Sequence, residues 1–546
     1  MADAWAARAT DDTPGLRYED SEWSWGAVVA EASRRAGWWS GRRAPGPPHV
    51  GVLLDNVPEH VFWLGACALS GAVYVGANPT HPGPALAEEL AFTRCQLLVT
   101  DRAHLEIVEG QDLGPAIGVA TTDNPRICLV DGDPAYPAAA DAADAADAPD
   151  VDAAEDVALG YLIFTSGTSG SPKACRCTQG RMVVIGAVLA QRYGLDSDSC
   201  CYLSMPLFHS NCLMSGWAPA VVGGATIALP TGGRFSASGF LPDVRRHRVT
   251  YWNYVGRPLS YVLATPERPD DAESTLRDVF GNEAAPGDVD RFARRFGCAI
   301  SENYGSTEGG ISISRSPDTP AGALGPAPPG ILVVDPDGKE CAAARFDDGG
   351  RLLNALEAVG EIVSDSIPPN FEGYWDNEEA DRSRVRDGWY WSGDLAYKDD
   401  QGYLYFAGRG DDWLRVDGEN FSAAPVVRIL DRHPDVVVSA VYAVPDPTVG
   451  DQVMAALQLV PGAPFDGDAF GAFLSEQADL GRKWVPRFVR VSPALPTTAT
   501  SKILVRQLRM EGLDCDDPVY ELRGEGSLAY VPRPEPQVTA DREQRS

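Results

Sequence analysis

Short apolar runs alternate with amphipathic stretches along much of the chain, and this alternation predicts strands that are followed by helices. The run His49–Leu54 predicts a buried strand, and Ala72–Gly76 predicts another. Between them we expect a helix over Glu59–Leu69, with Pro58 in its first turn and Asn56 as its cap. Four more runs predict strands: Gln96–Thr100, Tyr161–Thr165, Ala225–Leu229 and Val249–Tyr254. Because strands that alternate with helices form parallel sheets, the predicted fold class is α/β.

The pattern is interrupted twice. Between Pro137 and Ala158 the residues are mostly alanine and aspartate, a composition that buries little surface and is typical of a solvated linker. A second interruption falls at Gly408–Asp412, after which short strand and helix signals begin again. We therefore expect three parts: a large N-terminal domain over residues 1–408, a small α+β C-terminal domain over residues 409–530 and a Pro-rich, charged, disordered tail over residues 531–546.

The charge and the Cys and His content of the chain limit which classes of partner it is suited to bind. Of its 546 residues, 77 are acidic and 46 are basic, which gives a formal net charge of −31. A chain this acidic is poorly suited to nucleic acid or to anionic lipid, so we expect no nucleic-acid partner. The 11 cysteines include no CxxC pair, and the 7 histidines do not pair at ligand spacing. The cysteine pattern favours reduced thiols, and the spacing of the histidines argues against a zinc site.

The sequence predicts no membrane-spanning segment. Its most apolar stretch, Val61–Ala77, is broken by glycines and is shorter than the ~20 residues that a transmembrane helix needs. The first residues lack the basic start and apolar run of a signal peptide. We expect a cytoplasmic protein; peripheral contact with a membrane and assembly into a homodimer stay open.

The sharpest local signal is the segment Tyr161–Lys173, in which an apolar strand leads into a loop of glycines and hydroxyl side chains and then into Pro-Lys. Glycines allow backbone N–H groups to point at an anion, and the hydroxyls and lysine add donors, so the loop suits a triphosphate. It is not a Walker A loop, because Gly-Lys-Ser/Thr does not follow at the required spacing. A flexible surface turn is the alternative, which the flanking strand and Pro-Lys disfavour. The candidate phosphate-binding residues are Thr165, Ser166, Gly167, Thr168, Ser169, Gly170 and Lys173.

The segment Ser301–Gly310 carries side chains that suit a nucleotide. Tyr304 offers a flat face for a purine, and Thr307 offers a hydroxyl for a phosphate. Glu308 offers a hard carboxylate oxygen, the kind of ligand that Mg²⁺ prefers. Taken alone, the segment is more typical of a turn with one acidic residue.

Two later segments add candidate site residues, and each of these also has an ordinary structural explanation. Asp394 ends the sequence Trp-Ser-Gly-Asp and offers a carboxylate for paired ribose hydroxyls, with Arg409 nearby. A hairpin with a salt bridge explains this pair equally well. Lys502 is a lone lysine in the small-residue loop Pro496–Lys502, where a solvated side chain is the default interpretation.

Together, the order and spacing of these segments resemble the adenylate-forming superfamily of acyl-CoA synthetases, adenylation domains and luciferases, from about Trp23 to about Leu508. Within it, Val249–Leu263, Phe280-Gly-Asn282 and Arg415–Asn420 resemble fatty acid transport proteins and very-long-chain acyl-CoA synthetases. The composition, rich in alanine and aspartate, is similar to that of bacterial FadD-type enzymes. The resemblance implies a large adenylate-forming domain of parallel sheets and helices with a small, mobile C-terminal lid.

The resemblance also implies a role for each matched residue. The loop from Thr165 to Lys173 would bind the phosphates of ATP, Thr307 would hold the AMP phosphate, and Glu308 would hold Mg²⁺. Lys502 would bridge the substrate carboxylate and the phosphate, and His209 would stand at the gate to the acyl site. The remaining nucleotide contacts and the hinge are assigned as follows: Gly281, Asn282, Glu283 and Tyr304 at the adenine, Asp394 and Arg409 at the ribose, Arg415 in the nucleotide-binding set and Asp412 at the hinge between domains.

The implied reaction joins a hydrophobic carboxylic acid to coenzyme A, with ATP converted to AMP and pyrophosphate through an acyl-adenylate. Three alternatives stay open. An acyl-AMP ligase would load a carrier protein, but such ligases carry an insertion before the hinge that is absent between Asp394 and Asp412. A luciferase-type enzyme would oxidise its adenylate. A non-enzymatic fatty acid uptake factor would not need the phosphate loop and Lys502. Chain length, and whether the acid is fatty, branched or derived from a sterol, also stay open.

Overall fold

The computed structural model describes residues 1–131, 158–165, 172–316, 318–348, 350, 352–409, 413–416, 419–446, 450–523 and 528–533. Nearly all of the predicted linker, the predicted hinge residue Asp412 and most of the predicted tail lie outside these residues. The chain divides into two compact units. The first comprises Met1–Leu332, Ile362–Ser392 and Thr498–Lys502, and the second comprises Val333–Glu361, Gly393–Thr497 and Ile503–Ser546.

A six-stranded sheet in the first unit contains the earliest predicted strands. Its strands, in spatial order, are Ile127–Leu129, Leu97–Thr100, His49–Leu53, Val73–Gly76, Leu159–Phe164 and Ala174–Thr178. All neighbours are parallel except the last pair, which is an antiparallel hairpin. The predicted parallel arrangement is therefore confirmed, and the hairpin loop after Leu159–Phe164 is the predicted phosphate loop.

An eight-stranded sheet forms the other half of the first unit. Its strands, in spatial order, are Ile313–Ser314, Ala299–Tyr304, Asp278–Asn282, Tyr251–Val255, Cys200–Tyr202, Thr226–Ala228, Pro14–Tyr18 and Ser21–Ser24. The six central strands are parallel, and the two outermost strands are antiparallel to their neighbours. Parallel strands end at the same edge of a sheet, so the residues that follow Tyr251–Val255, Asp278–Asn282 and Ala299–Tyr304 lie side by side.

Helices cover these sheets. In the first unit they are Ala2–Ala6, Trp25–Ser40, Pro58–Ser70, Gly83–Phe92, Arg102–Val108, Gln179–Tyr193, Ser210–Cys212, the π-helical turn Leu213–Trp217, Ala218–Gly223, the 3₁₀ turn Thr231–Gly233, Ala237–His247, Pro258–Leu263, Pro286–Phe296 and Glu378–Arg384. One apolar core joins residues of both sheets. Its packing is tight: a Cβ on Gly65 would lie 2.6 Å from the ring of Trp5.

Asn56 does not cap the helix Pro58–Ser70, so that prediction is wrong. The capping position is Val57, which makes no side-chain capping bond. The buried Asn56 side chain instead donates from Nδ2 to the carbonyl oxygens of Leu203 and Met205, both at 2.7 Å, and its Oδ1 accepts from the N–H of Leu207 at 3.0 Å. Three bonds to distant backbone satisfy the amide better than one local cap would. They fix the loop that leads to His209.

The second unit is built around a seven-stranded sheet. Its strands are Trp413–Val416, Glu419–Ser422, Val436–Asp446, Gly450–Leu459, Phe488–Ser492, Val519–Arg523 and Ala529–Pro532. Its helices are Ala355–Ala358, Ala423–Leu430, Gly467–Ser475, the 3₁₀ turn Arg482–Trp484 and Val505–Glu511. The hairpin Trp389–Lys398 and Tyr403–Arg409 begins in the first unit and continues in the second. The remaining strands are Gly325–Pro326, Ile331–Val334, Gly360–Ser364 and Val385–Arg386. None of the helices within the described ranges could span a bilayer.

A buried ion cluster ties two parallel strands of the six-stranded sheet together. Asp55 and Asp101 follow the ends of neighbouring strands, and His104 lies between them. Its Nδ1 is 2.7 Å from Oδ1 of Asp101, and its Nε2 is 3.6 Å from Oδ1 of Asp55. Burial lowers the pKa of His104, but the hydrogen bonds and charges of the two aspartates outweigh burial and raise this pKa to about 9. The imidazolium therefore holds two strand ends at neutral pH.

This cluster predicts a loss of stability in alkaline solution. The pKa of His104 is higher in the folded chain than the ordinary value of 6.5, so its contribution is complete below about pH 6.5 and disappears as the pH rises through about 9. The free energy of unfolding should fall by ~2–3 kcal/mol across that window, since each pKa unit corresponds to ~1.4 kcal/mol. Urea unfolding at a series of pH values, followed by tryptophan fluorescence, measures it.

His104→Gln should remove most of this pH dependence and should be less stable than the wild type at pH 6.5. His433→Gln is the matched control, because burial lowers the pKa of His433 and this histidine contributes no such alkaline loss. Equal slopes for the wild type and His104→Gln between pH 6.5 and pH 9 would contradict the assignment.

Candidate active site

The predicted phosphate loop connects an antiparallel hairpin. Its base is closed where the N–H of Thr165 donates to the carbonyl oxygen of Lys173 at 3.1 Å. Thr165 and Lys173 are both partly exposed at this base. The central residues of the loop, Ser166, Gly167, Thr168, Ser169 and Gly170, lie outside the described part of the chain. Their assignment stays a prediction.

The strands Asp278–Asn282 and Ala299–Tyr304 bring the predicted adenine-binding residues to one edge of the eight-stranded sheet. Gly281 has a steric reason to be glycine, because a Cβ there would lie 2.2 Å from the ring of Tyr254. Tyr254 in turn donates from its hydroxyl to Oε1 of Glu302 at 3.1 Å. Burial raises the pKa of Glu302. Sequence reasoning missed Tyr254 and Glu302, although both lie in or beside the quoted motifs.

Thr307 contacts a serine that the sequence analysis missed. Its hydroxyl is 2.7 Å from the hydroxyl of Ser210, and its carbonyl oxygen accepts from Nη2 of the buried Arg181 at 2.8 Å. The turn after Thr307 needs a glycine: Gly309 has φ +77°, and a Cβ there would lie 2.3 Å from Arg181 Nη2. The arrangement presents two hydroxyls beside an arginine, which suits an anion. The position of Ser210 directly after His209 is the sequence signal that could have identified this serine.

Glu308 is buried at 8% exposure and is held by two groups from the segment 371–392. Its Oε1 accepts from the Tyr374 hydroxyl at 2.8 Å and lies 3.6 Å from Nη2 of Arg384. Burial would raise the pKa of Glu308, but the charge of Arg384 and several hydrogen bonds outweigh burial and lower this pKa. Glu308 is therefore ionised at neutral pH. A single hard, ionised carboxylate fits Mg²⁺, which commonly binds one or two carboxylates together with substrate phosphates.

Lys502 lies in the first unit, within the short segment Thr498–Lys502. Its Nζ is 2.7 Å from Oε1 of Glu283, which has φ +68°. The segment passes close to Gly256, where a Cβ would lie 3.1 Å from the carbonyl oxygen of Thr500. Lys502 thus pairs with a carboxylate beside the predicted adenine-binding residues, rather than with solvent alone.

His209 begins the helical segment that carries Ser210. Its Nδ1 accepts from the N–H of Asn211 at 3.2 Å. Burial lowers the pKa of His209, the positive charge of Lys502 lowers it further, and the result is about 3. The imidazole is therefore neutral at pH 7, so His209 can pack against an acyl group without adding a charge.

Asp394 and Arg409 form an ion pair in the second unit. They are opposite each other in the hairpin, with Arg409 Nε 3.0 Å from Asp394 Oδ1. The salt bridge anticipated from the sequence is present, and a role at ribose stays a prediction. Arg415 lies on the strand Trp413–Val416, and its side chain, like all of Asp412, is outside the described residues.

Two protein families match the chain. The AMP-binding enzyme family matches residues 3–375, and the AMP-binding enzyme C-terminal domain family matches residues 428–502. The chain is 50% identical to the steroid-22-oyl-CoA synthetase of Rhodococcus jostii, over 96% of this chain and 93% of that protein. It is also 50% identical to the medium/long-chain-fatty-acid–CoA ligase FadD17 of Mycobacterium tuberculosis, over 94% of this chain and 96% of that protein.

A solved structure shows the same fold. The anthranilate CoA ligase AuaEII in complex with anthranoyl-AMP superimposes with a TM-score of 0.80 over 93% of this chain and 96% of that protein, at 23% identity. The resemblance predicted from the sequence motifs is confirmed, and so is the fold class.

The contact between Ser210 and Thr307 predicts a role for Ser210 in binding AMP. Ser210→Ala leaves the Thr307 hydroxyl without its 2.7 Å partner. A hydrogen bond of this kind contributes about 1 kcal/mol, so the affinity for AMP should fall roughly fivefold. Isothermal titration calorimetry with AMP measures the change.

Ser215→Ala is the matched control, because Ser215 is a buried serine one turn further along the same helical segment. Its affinity for AMP should stay within about twofold of the wild type. Equal affinities for all three proteins would remove Ser210 from the phosphate site.

Proposed function

Because the chain belongs to the AMP-binding enzymes, we propose that it is an ATP-dependent acyl-CoA synthetase that converts a hydrophobic carboxylic acid, ATP and coenzyme A into acyl-CoA, AMP and pyrophosphate. The observation that carries the proposal is the 50% identity, across more than nine-tenths of both chains, to one protein named a CoA synthetase and another named a CoA ligase. The site geometry supports it, because a lysine, two hydroxyls, an arginine and an ionised carboxylate belong to one unit.

In the first half-reaction, a carboxylate oxygen of the acid attacks the α-phosphorus of ATP, an acyl–phosphate bond forms and pyrophosphate leaves. The two reactants are both anions, so the site has to offset their repulsion. We assign this to Lys502, which already pairs with a carboxylate, and to Thr307 with Ser210 at the phosphate. The loop from Thr165 to Lys173 would bind the departing phosphates.

Glu308 would hold Mg²⁺, which when bound would neutralise charge on the phosphate oxygens. Tyr374 and Arg384 fix the orientation of this carboxylate and keep it ionised. Gly281, Asn282, Glu283 and Tyr304 would border the adenine. Asp394, Arg409 and Arg415 are proposed as the ribose and nucleotide contacts of the second unit.

In the second half-reaction, the sulfur of coenzyme A attacks the acyl carbon, its thiol proton is released and AMP leaves. Lys502 would obstruct this attack if it stayed in place, so the proposed small domain of residues 409–530, which includes Lys502, would have to rotate between the steps. We propose domains over residues 1–408 and 409–530, with the hinge at Asp412. His209 would stand at the acyl gate.

The relatives support two classes of acyl substrate equally. The chain has the same sequence identity, 50%, to the steroid-22-oyl-CoA synthetase and to the fatty-acid–CoA ligase. Both names point to coenzyme A as the acyl acceptor, which disfavours loading of a carrier protein. We therefore propose an acid with a large apolar acyl group, either a medium- to long-chain fatty acid or a steroid acid.

The products test this function. The purified protein, given Mg²⁺, ATP, coenzyme A and a panel of fatty and steroid acids, should form acyl-CoA with one AMP and one pyrophosphate for each thioester, because adenylation cleaves ATP between its α- and β-phosphates. Chromatography of the nucleotides and ATP–pyrophosphate exchange measure the outcome. Release of ADP and phosphate would contradict the mechanism, and so would binding of the acids without turnover.

Lys502→Ala should separate the half-reactions. Loss of a preorganised cation at a transition state typically slows a step on the order of 10²–10³-fold, so ATP–pyrophosphate exchange should fall by this factor. Thioester formation from synthetic acyl-AMP and coenzyme A should stay close to the wild-type rate, because the lysine is not needed in that step.

The control for this variant is Lys339→Ala, since Lys339 is an exposed lysine of the second unit, away from every proposed site residue in sequence. It should keep both half-reactions. Normal exchange by Lys502→Ala would remove this lysine from the adenylation site.

A further inference from the structure

Three strands and one helical segment of the first unit are joined by a chain of asparagine amides. Asn253 donates from Nδ2 to Oδ1 of Asn211 at 2.7 Å. Asn211 donates from its own Nδ2 to Oδ1 of Asn282 at 3.4 Å, and Asn282 donates to the carbonyl oxygen of Asn303. Each side-chain amide donates to the next member of the series, which runs from the strand Tyr251–Val255 through the helical segment to the predicted adenine-binding residues.

The ends of this amide chain carry different parts of the proposed site. Asn211 follows His209 and Ser210, which belong to the acyl gate and the phosphate contact. Asn282 and Asn303 lie on the strands that carry the adenine contacts. The chain therefore connects the groups that face the acid with the groups that face the nucleotide.

Asn253 is the buried first member of this amide chain. It is fully buried, on the strand Tyr251–Val255, and its Nδ2 also lies 3.3 Å from the backbone carbonyl oxygen of Asn211. Its Oδ1 is buried and makes no hydrogen bond within the described residues. A buried acceptor without a hydrogen-bond partner lowers the stability of the fold, so the presence of an asparagine here favours a role other than stability.

The surroundings of Asn253 favour a positioning role. Its Oδ1 lies 2.5 Å from where a Cβ of Gly216 would be, so the glycine lets the π-helical turn Leu213–Trp217 approach the strand closely. Two residues earlier on the same strand face, Tyr251 donates its hydroxyl to the carbonyl oxygen of Ser215 at 2.7 Å. The strand therefore contacts this turn through two residues, Asn253 and Tyr251. Turns of π-helix are frequent at functional sites.

We propose that Asn253 is a positioning residue for adenylation: through Asn211 it sets the register between the acid-facing residue His209 and the nucleotide-facing residues Ser210 and Asn282. Asn253 is fully buried and acts through its hydrogen bonds to Asn211. This inference rests on the proposed function, since it assigns Asn253 to the step that joins the two substrates. Its physical basis is alignment, because misplacing reacting groups by about 1 Å can slow a reaction on the order of 10²-fold.

The test is ATP–pyrophosphate exchange by Asn253→Ala, with the acid that the wild type uses best. The exchange rate should fall on the order of 10²-fold. The affinities for AMP alone and for the acid alone should each stay within about threefold of the wild type, because each half of the site is intact. A purely structural role would instead lower the fraction of protein that binds AMP, together with the exchange rate.

Tyr251→Phe is the matched control. It removes one hydrogen bond from the same strand face to the same helical segment but leaves the amide chain complete, so exchange should fall less than about fivefold. If Asn253→Ala does not fold, Asn253→Ser serves, because its hydroxyl is too short to reach Asn211.

Three outcomes overturn the inference: exchange by the Asn253 variants within threefold of the wild type, an equal loss in Tyr251→Phe, or a loss matched by AMP-binding stoichiometry. Exchange that is absent from the wild type would overturn the proposed function, and with it this inference. The two failures are therefore distinguishable.

Discussion

The arrangement of the site depends on the parallel pairing of three neighbouring strands. Tyr251–Val255, Asp278–Asn282 and Ala299–Tyr304 run in the same direction, so all three end at one edge of the eight-stranded sheet. In a parallel sheet, the residues just past the strand ends are the ones free of ladder bonds and available for a ligand. A shift of one strand by one residue would turn its side chains to the other face. The strand register therefore decides which amides and rings reach the site.

The apolar pattern of the sequence predicted the strands and the α/β class, because burial in parallel sheets leaves continuous runs of apolar residues. Residues inside dense motifs, such as Thr307 and Glu308, could also be proposed. The contacts that hold those residues could not. Ser210 meets Thr307 across 97 residues of chain, Tyr374 meets Glu308 across 66, and only folding brings them together. The error at Asn56 has the same origin: a local cap was visible in the sequence, whereas its three distant backbone partners were not.

The net charge of the protein does not describe the local charge at the proposed site. The chain carries −31 overall, yet the proposed site gathers Arg181, Arg384 and Lys502 against carbonyl and carboxylate oxygens. The acid, ATP and coenzyme A are all anions, so the acidic surface opposes their approach while the interior groups attract them. At physiological ionic strength the Debye length is about 8 Å, so the distant surface charge is largely screened. The partly buried cations are screened far less, and local rather than net charge governs binding.

The close packing at Gly281 limits how this scaffold could be re-engineered. The ring of Tyr254 occupies the space that any side chain at position 281 would need, and the same ring is anchored to Glu302. Any side chain at Gly281 alone would force the buried ring of Tyr254 to move and would strain its hydrogen bond to Glu302. Productive variation at this wall would have to change the glycine and the tyrosine in the same clone. Gly281 and Tyr254 therefore form one steric unit, in which the size of either residue limits the size of the other.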